Sequence, residues 1–366
     1  MPQSQRREPH ERPHFQITAG EPARPKNGDI AKLDAAELMK LHTHPNEWFS
    51  RQARLELIAR ANAGQNLAAV KDQLRALFDA QPEITTKLRA MWTLFGTGGT
   101  DDAFLKTQLR HPDEHVRAWA IRMLSDAWPL DTLMSARPNG GPKLPRADLD
   151  EFVRLAREEP SGLVRLALAS MLQRLAIPDR VPLAEALVAH GEDAADHNLP
   201  LLIWYGLIPV GDRDAHSLVK IAHRCELPQT RRYIARRLAE DVEQQPEPLN
   251  DLLTFIVDKG SSEIAADILG GISEALAGWR KAPKPHEWDN FVSHAANLGN
   301  PELVDRVRDL AVVFGDGRAL DEVKQLALDK TADLQPRQAA LQTLIDSRAP
   351  DLREICEKLL GVQFLN

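Results

Sequence analysis

His111, Glu114 and His115 spell H-x-x-E-H within HPDEHVRAWAIRML, residues 111–124. That spacing is the signature of an inverted zinc-protease helix, in which two histidines hold the metal and the glutamate activates its bound water. A metal-dependent hydrolase is therefore the first chemistry on offer. It requires both histidines on one unbroken helix. Pro112 is tolerated in the first turn of a helix and not in its interior, so His111 is placed at the cap. A second copy, HPNEWFSRQARLEL at 44–57, matches His44, Pro45 and Glu47 to His111, Pro112 and Glu114. It has Trp48 where His115 stands. A motif repeated with tryptophan in the ligand slot reads as a structural joint. Glu185 and Glu192 are candidate third ligands by distance along the chain alone.

Other chemistry-bearing clusters have plainer readings. HGEDAADHNLP (190–200) gathers His190, Glu192, Asp193, Asp196 and His197, a set suited to a divalent cation. Acidic residues and Asn ahead of an apolar helix are also what a helix N-terminus wants, and capping is the preferred reading. FGTGGTDDAF (95–104) lacks the Gly-Lys-Ser/Thr ending of a phosphate loop, and Asp101 and Asp102 would repel phosphate there. The only cysteines are Cys225 and Cys356, so C-x-x-C is absent and a single disulfide is allowed but not implied. Nothing else in the chain is arranged as an active site.

The elements that position these residues are helices. Leu, Ala, Arg and Glu dominate while aromatics are only 5%, which favours an all-α fold. A length of 366 residues exceeds what one core supports, so two domains or an extended architecture are expected. A frame of apolar-Arg with apolar residues four and eight positions on recurs at Val116-Arg117, Ala120, Leu124, at Val164-Arg165, Leu168, Leu172, and at Thr230-Arg231, Ile234, Leu238. Weaker copies are Pro336-Arg337, Ala340, Leu344, and Phe49, Ala53, Leu57 with Arg51. The spacing puts each set on one helical stripe that must be buried, and Arg117 reads as a joint residue bonding to neighbouring turns. Helix pairs are expected between the frames, at 67–96, 181–207 and 249–276. Each unit is then roughly 35 residues, and an α-solenoid of about nine HEAT-like helix pairs is expected over 31–366. Loop insertions interrupt it near 129–147 and 279–289, the second expected to be exposed. Residues 1–30, rich in Arg, Pro, Gln and Glu without an apolar core, are expected to be disordered and are no signal peptide.

Partners are bounded by charge and hydropathy. A net charge of −7 opposes the basic face that a HEAT-like DNA-repair glycosylase needs, so no nucleic-acid partner is expected. The basic run RRYIARRLAED (231–241) reads as a solvated helix face. The longest apolar run, LPLLIWYGLIPV (199–210), is too short to cross a bilayer and holds two prolines. No direct membrane insertion is expected, and the chain as written is cytoplasmic. Trp204 and Tyr205 are expected to be buried between neighbouring helices.

DHNLPLLIWYGL (196–207), LPQTRRYIARRLAED (227–241) and LGGISEALAGWRKAP (269–283) carry a family resemblance. With the two His-Pro segments, they resemble the helical-repeat region of planctomycete-type membrane-bound dehydrogenases, also called haem-binding C-x-x-C-H proteins. The resemblance runs from Asp29 to the last residue. Its most specific element is NLPLLIWYGL, with Asn198, Leu199, Pro200, Trp204 and Tyr205; the arginine frames are generic. It implies a plan of dehydrogenase-like β-propeller, HEAT-like repeats and c-type cytochrome. It also implies a periplasmic or membrane-associated setting. Neither propeller strands before residue 30 nor C-x-x-C-H occur here, and the chain ends on apolar Val362, Phe364 and Leu365. A fragment or truncated reading frame is expected. Haem c is expected only in a downstream module, and dehydrogenase activity transfers to no residue here. The expected role is a non-catalytic scaffold whose partners are proteins or adjacent modules of the same polypeptide.

Overall fold

The structure, a computed structural model, describes residues 29–131 and 142–360. Most of the expected disordered segment, the centre of the Pro/Gly insertion at 132–141, and Val362, Phe364 and Leu365 lie outside the described residues. Among the described residues there are nineteen α-helices, four 3-10 turns and no strand. None of these helices is long and apolar enough to cross a membrane. They form two compact units divided between Thr100 and Asp101, a boundary that falls within the Gly-rich FGTGGTDDAF.

The first unit holds α1 (Ala35–Lys40), α2 (Glu47–Asn62), α3 (Ala68–Ala80) and α4 (Ile84–Gly96). Asp34 and Glu37 close a capping box over α1, and the Asn46 side chain accepts from Trp48 N–H to start α2. Leu38, Ala53, Leu57, Leu74 and Met91 are fully buried, whereas Phe49 sits half-buried at the edge of its stripe. Within this core His42 Nδ1 lies 3.0 Å from the Met39 carbonyl and Nε2 lies 2.8 Å from Thr93 Oγ1. Burial pushes the His42 pKa down to about 4, against the raising effect of the Met39 carbonyl. The unfolded chain takes up this proton near pH 6.5 and the folded chain only near 4. The stability gained by keeping the ring neutral is therefore whole above pH 6.5 and is lost as pH falls toward 4. The loss amounts to about 3 kcal/mol. Urea titrations of wild type and His42→Gln at several pH values check this: acidification should cost wild type more, and equal losses would refute it.

The second unit begins with α5 (Asp102–Gln108), α6 (Glu114–Ser125), α7 (Arg146–Glu158) and α8 (Gly162–Leu172). It continues with α9 (Ile177–Leu187), α10 (Leu199–Arg213), α11 (Ala215–Ala222), α12 (Pro228–Glu240) and α13 (Glu247–Lys259). It ends with α14 (Ser262–Ala275), α15 (Trp288–Ala295), α16 (Pro301–Val313), α17 (Gly317–Leu328), α18 (Leu334–Asp346) and α19 (Leu352–Leu359). Alternate helices pack together. From α6 to α18 each even-numbered helix rests on the next even one, and α7, α9, α11, α13 and α15 form a second row. Composition follows the rows. In the first row α8 buries Val164, Ala167, Leu168, Met171 and Leu172 around most of its circumference, because it has neighbours on several sides. In the second, α7 buries Leu149, Phe152, Leu155 and Ala156 on one face and turns its charges outward. Two glycines permit the closest approaches: a Cβ on Gly206 would lie 2.6 Å from Leu172 Cβ, and one on Gly271 would lie 2.2 Å from the Arg232 carbonyl oxygen.

The structure corrects several expectations. Leu124 is only half-buried, because α6 packs on both α5 and α8 and its covered face widens to Ile121 and Met123. Pro336 is exposed, while Ala340 and Leu344 in the same frame are buried. Tyr205 is 38% exposed and Trp204 half-buried, stacked on Tyr233 at 5.6 Å between ring centroids. The covered face of α10 is Ile203, Gly206, Leu207 and Val210, which leaves Tyr205 outside it. That helix also continues through Pro209 to Arg213; the missing proline N–H frees the carbonyl of Tyr205, an exposed residue. The segment 279–289 is exposed at most positions, as expected, but it is pinned by buried residues. Ala282 is buried with its N–H on the Val313 carbonyl at 3.0 Å, and Trp288 is buried against Phe314 and opens α15.

Candidate functional site

The H-x-x-E-H residues sit at the start of α6 and do not converge. The helix begins at Glu114, capped by Asp113, whose carboxylate accepts from the N–H of His115 (2.9 Å) and Val116 (3.3 Å). His111 lies outside the helix, and its Nδ1 accepts from Asp113 N–H at 3.0 Å. Glu114 accepts from the Ser161 hydroxyl, and His115 is exposed. The copy in the first unit repeats the turn: His44 Nδ1 accepts from Asn46 N–H at 3.0 Å, Asn46 caps the helix, and Trp48 is exposed. The shared feature is a His-Pro-Asx turn whose ring nitrogen is occupied by a backbone N–H. Glu185 faces Arg224, and Glu192 faces His190 and Arg165. Among the described residues no three His, Cys, Asp or Glu side chains are gathered as a metal ion would need.

Three of the frame arginines are held in a common pattern. Arg117 Nη1 donates to the carbonyls of His111 and Pro112, both at 2.9 Å, while Nε and Nη2 grip Glu159 at 2.9 and 2.6 Å. Arg165 Nη1 donates to the Glu159 carbonyl at 2.6 Å, and its Nε and Nη2 grip Asp193 at 2.5 and 2.6 Å. Arg231 donates to the Cys225 carbonyl and to Asp267. In all three, one guanidinium nitrogen meets the carbonyl six residues earlier and another meets a carboxylate farther along the chain. Glu159 links two of them, through its side chain to Arg117 and its carbonyl to Arg165. Buried Arg337 donates to the Ala327 carbonyl at 3.3 Å. The bidentate, charge-assisted contacts of Arg117 and Arg165 fix geometry more firmly than neutral hydrogen bonds. The Asp193 hydrogen bonds hold the Arg165 guanidinium above its ordinary pKa.

Two arginines of this kind were not read from the sequence. Arg180, with no exposed surface, donates to the carbonyls of Leu175 (2.9 Å) and Gly206 (3.1 Å) and to Asp131 (2.8 Å). Its signal was its place on the apolar stripe of Ile177, Ala184 and Leu187, where a charge needs a partner. In the first unit Arg89 donates to the carbonyls of His42 (3.1 Å) and His44 (3.3 Å) and pairs with Glu47. The acidic cluster at 190–200 divides between two tasks. Asp193 serves Arg165, and Asp196 caps α10 by accepting from the N–H of Asn198 (2.8 Å) and Leu199 (2.7 Å). Asn198 itself makes no side-chain cap bond.

Cys225 is buried with its thiol on the Leu227 carbonyl at 3.3 Å, and burial pushes its pKa up to about 11. Cys356 is a separate, half-buried free thiol.

Two openings in the second unit could admit a ligand. A cleft of about 650 Å³ between α5 and α7 has buried Leu109 and Phe152 in its lining, with Lys106–Asp148 (2.7 Å) and Arg110–Glu151 (3.1 Å) paired across it. A half-open cavity of about 400 Å³ is lined by α12, α14, α16, α18 and the turn at Leu276–Trp279. Its charged lining is Arg232, Glu274, Arg306, Asp309 and Asp346. Arg232 pairs with Glu274, and burial raises the Asp309 pKa to about 6 despite Arg308 nearby. The first cleft has its charges already matched; the second does not, and it is the better candidate for a binding site. Compared with known proteins, the chain matches no family model, no curated protein and no solved structure.

Proposed function

We propose that this chain is a non-catalytic α-solenoid of HEAT-like helix pairs. In our reading it acts as the scaffold that, in the planctomycete-type membrane-bound dehydrogenase plan, joins a dehydrogenase-like propeller to a c-type cytochrome. The observation that carries the reading is the recurrence of one joint, a guanidinium tied to the carbonyl six residues back and to a later carboxylate, at Arg117, Arg165 and Arg231. Support also comes from the alternate packing of helices in the second unit and from the count, since nineteen helices divide into nine pairs and one terminal helix. The mechanism is geometric. Joints that tie a guanidinium to both a turn carbonyl and a later carboxylate hold each pair at a fixed angle to the next, so modules attached at different places keep a fixed separation.

The test begins with the DNA on either side of this reading frame. The reading expects a C-x-x-C-H sequence encoded downstream and a propeller upstream. The tagged chain should then co-elute with the products of both frames in size-exclusion chromatography with light scattering. Flanking frames of unrelated composition, or products that bind neither end, would remove the linker role.

A further inference from the structure

The cavity between α12, α14, α16 and α18 is shaped by Gly270. A Cβ there would lie 2.8 Å from Arg306 Nη1 and 3.2 Å from Arg232 Nε, so two guanidiniums crowd the space above one residue. Like charges brought this close need compensation. Arg232 has Glu274. The one hydrogen bond of Arg306 among the described residues goes to the Ala266 carbonyl at 3.4 Å. Asp267, already tied to Arg231, acts on it from beyond ion-pair distance. On the next helix of the row, Asp346 accepts from the Gln342 amide at 2.7 Å and pairs with no cation among the described residues. Among the described residues, Arg306 and Asp346 thus line one cavity without an ion-pair partner, while its other carboxylate, Asp309, has Arg308 at 3.8 Å. Apolar Leu310, Val313 and Trp279 are part of its lining.

A single anion would satisfy Arg306 and be repelled by Asp346, and a single cation would meet the reverse. A ligand bearing both charges satisfies both, through charge-assisted hydrogen bonds. The 400 Å³ volume lies in the range of small-molecule sites. We propose that this cavity binds a small zwitterion of the α-amino-acid class. Its carboxylate meets Arg306, its ammonium meets Asp346, and an aliphatic side chain rests on Leu310 and Val313. This site is independent of the scaffold reading and stands or falls without it.

Isothermal titration of the full chain with L-leucine, 4-methylpentanoate and isopentylamine separates the charges. The last two are leucine without its ammonium and without its carboxylate. Leucine should bind at least about tenfold more tightly than either. Asp346→Asn, which keeps the side-chain shape, and Arg306→Met should each weaken leucine binding by about tenfold or more, with melting temperatures near wild type. Arg306→Lys is the second variant should Arg306→Met fail to fold, and it should retain part of the affinity. The proposal is overturned if leucine does not bind at millimolar concentration, if either half-molecule binds as tightly, or if Asp346→Asn leaves binding unchanged.

Discussion

Asp193→Ala is expected to destabilise the second unit by about 3–5 kcal/mol, the cost of leaving a buried charge without its partner. Arg165 is only 2% exposed and Asp193 6%, and the two share a bidentate pair. Removing the carboxylate leaves the guanidinium with the Glu159 carbonyl and with Glu192, 3.3 Å away but largely exposed. Glu192 is screened by solvent and recovers little, which holds the expected loss near the middle of that range. The double variant Arg165→Met/Asp193→Leu separates the pair's net value from the penalty of breaking it. Well-packed apolar replacements of buried ion pairs are often neutral, so the double variant should regain most of the loss. Urea midpoints with unchanged slopes would measure both. A single variant within about 1 kcal/mol of wild type would show that the joint is not a stabilising element.

The second large effect belongs to Gly271→Ala. The added Cβ would lie 2.2 Å from the Arg232 carbonyl oxygen and 2.8 Å from the Arg236 nitrogen, both backbone atoms of α12. Backbone cannot swing aside as a side-chain tip can, so α12 and α14 must separate. Their buried contacts through Ala235, Leu238, Ile268 and Leu269 then loosen. Overpacking costs about 1–3 kcal/mol in cores that can adjust, and this site falls at or above the upper end. The intrinsic preference of a helix for Ala over Gly returns about 1 kcal/mol, leaving a net loss of about 2 kcal/mol or more. Gly317→Ala is the control: nothing lies within 4 Å of its Cβ position, and it is exposed at the start of α17. It should be neutral within about 0.5 kcal/mol. Thermal melts of the two variants side by side check the contrast, and equal melting temperatures would refute it.

What was legible in the sequence was whatever is encoded within one or two turns. The all-helical class shows in Leu, Ala, Arg and Glu, and the pairs at 67–96 and 249–276 are marked by 3.6-residue periodicity between polar turns. What needs a third dimension was not legible. Tyr205 lies in a run apolar on nearly every side, so its exposure depends on where α8 and α12 stop covering α10. Trp288 looks like loop because Lys281, Pro283, Lys284 and Pro285 precede it, yet Phe314 gives it a place to bury. Arg180 lacks the apolar-Arg frame that marks the others, although its partners are of the same kind. The cavity over Gly270 draws on residues from Arg232 to Asp346, and no spacing rule links positions on four separate helices.

The three frame arginines share a short reach backward but differ in their reach forward. Arg117 spans 42 positions to Glu159, Arg165 spans 28 to Asp193, and Arg231 spans 36 to Asp267. A helix pair shuffled to another place would carry its carbonyl bond with it and arrive at the wrong carboxylate. It would then bury a lone guanidinium, with the penalty set out for Asp193→Ala. The order of the pairs is thereby written into three tethers of unequal length. Recombination within this chain should be tolerated only where whole arginine–carboxylate spans are exchanged together, so the heritable part is the tether and not the helix pair.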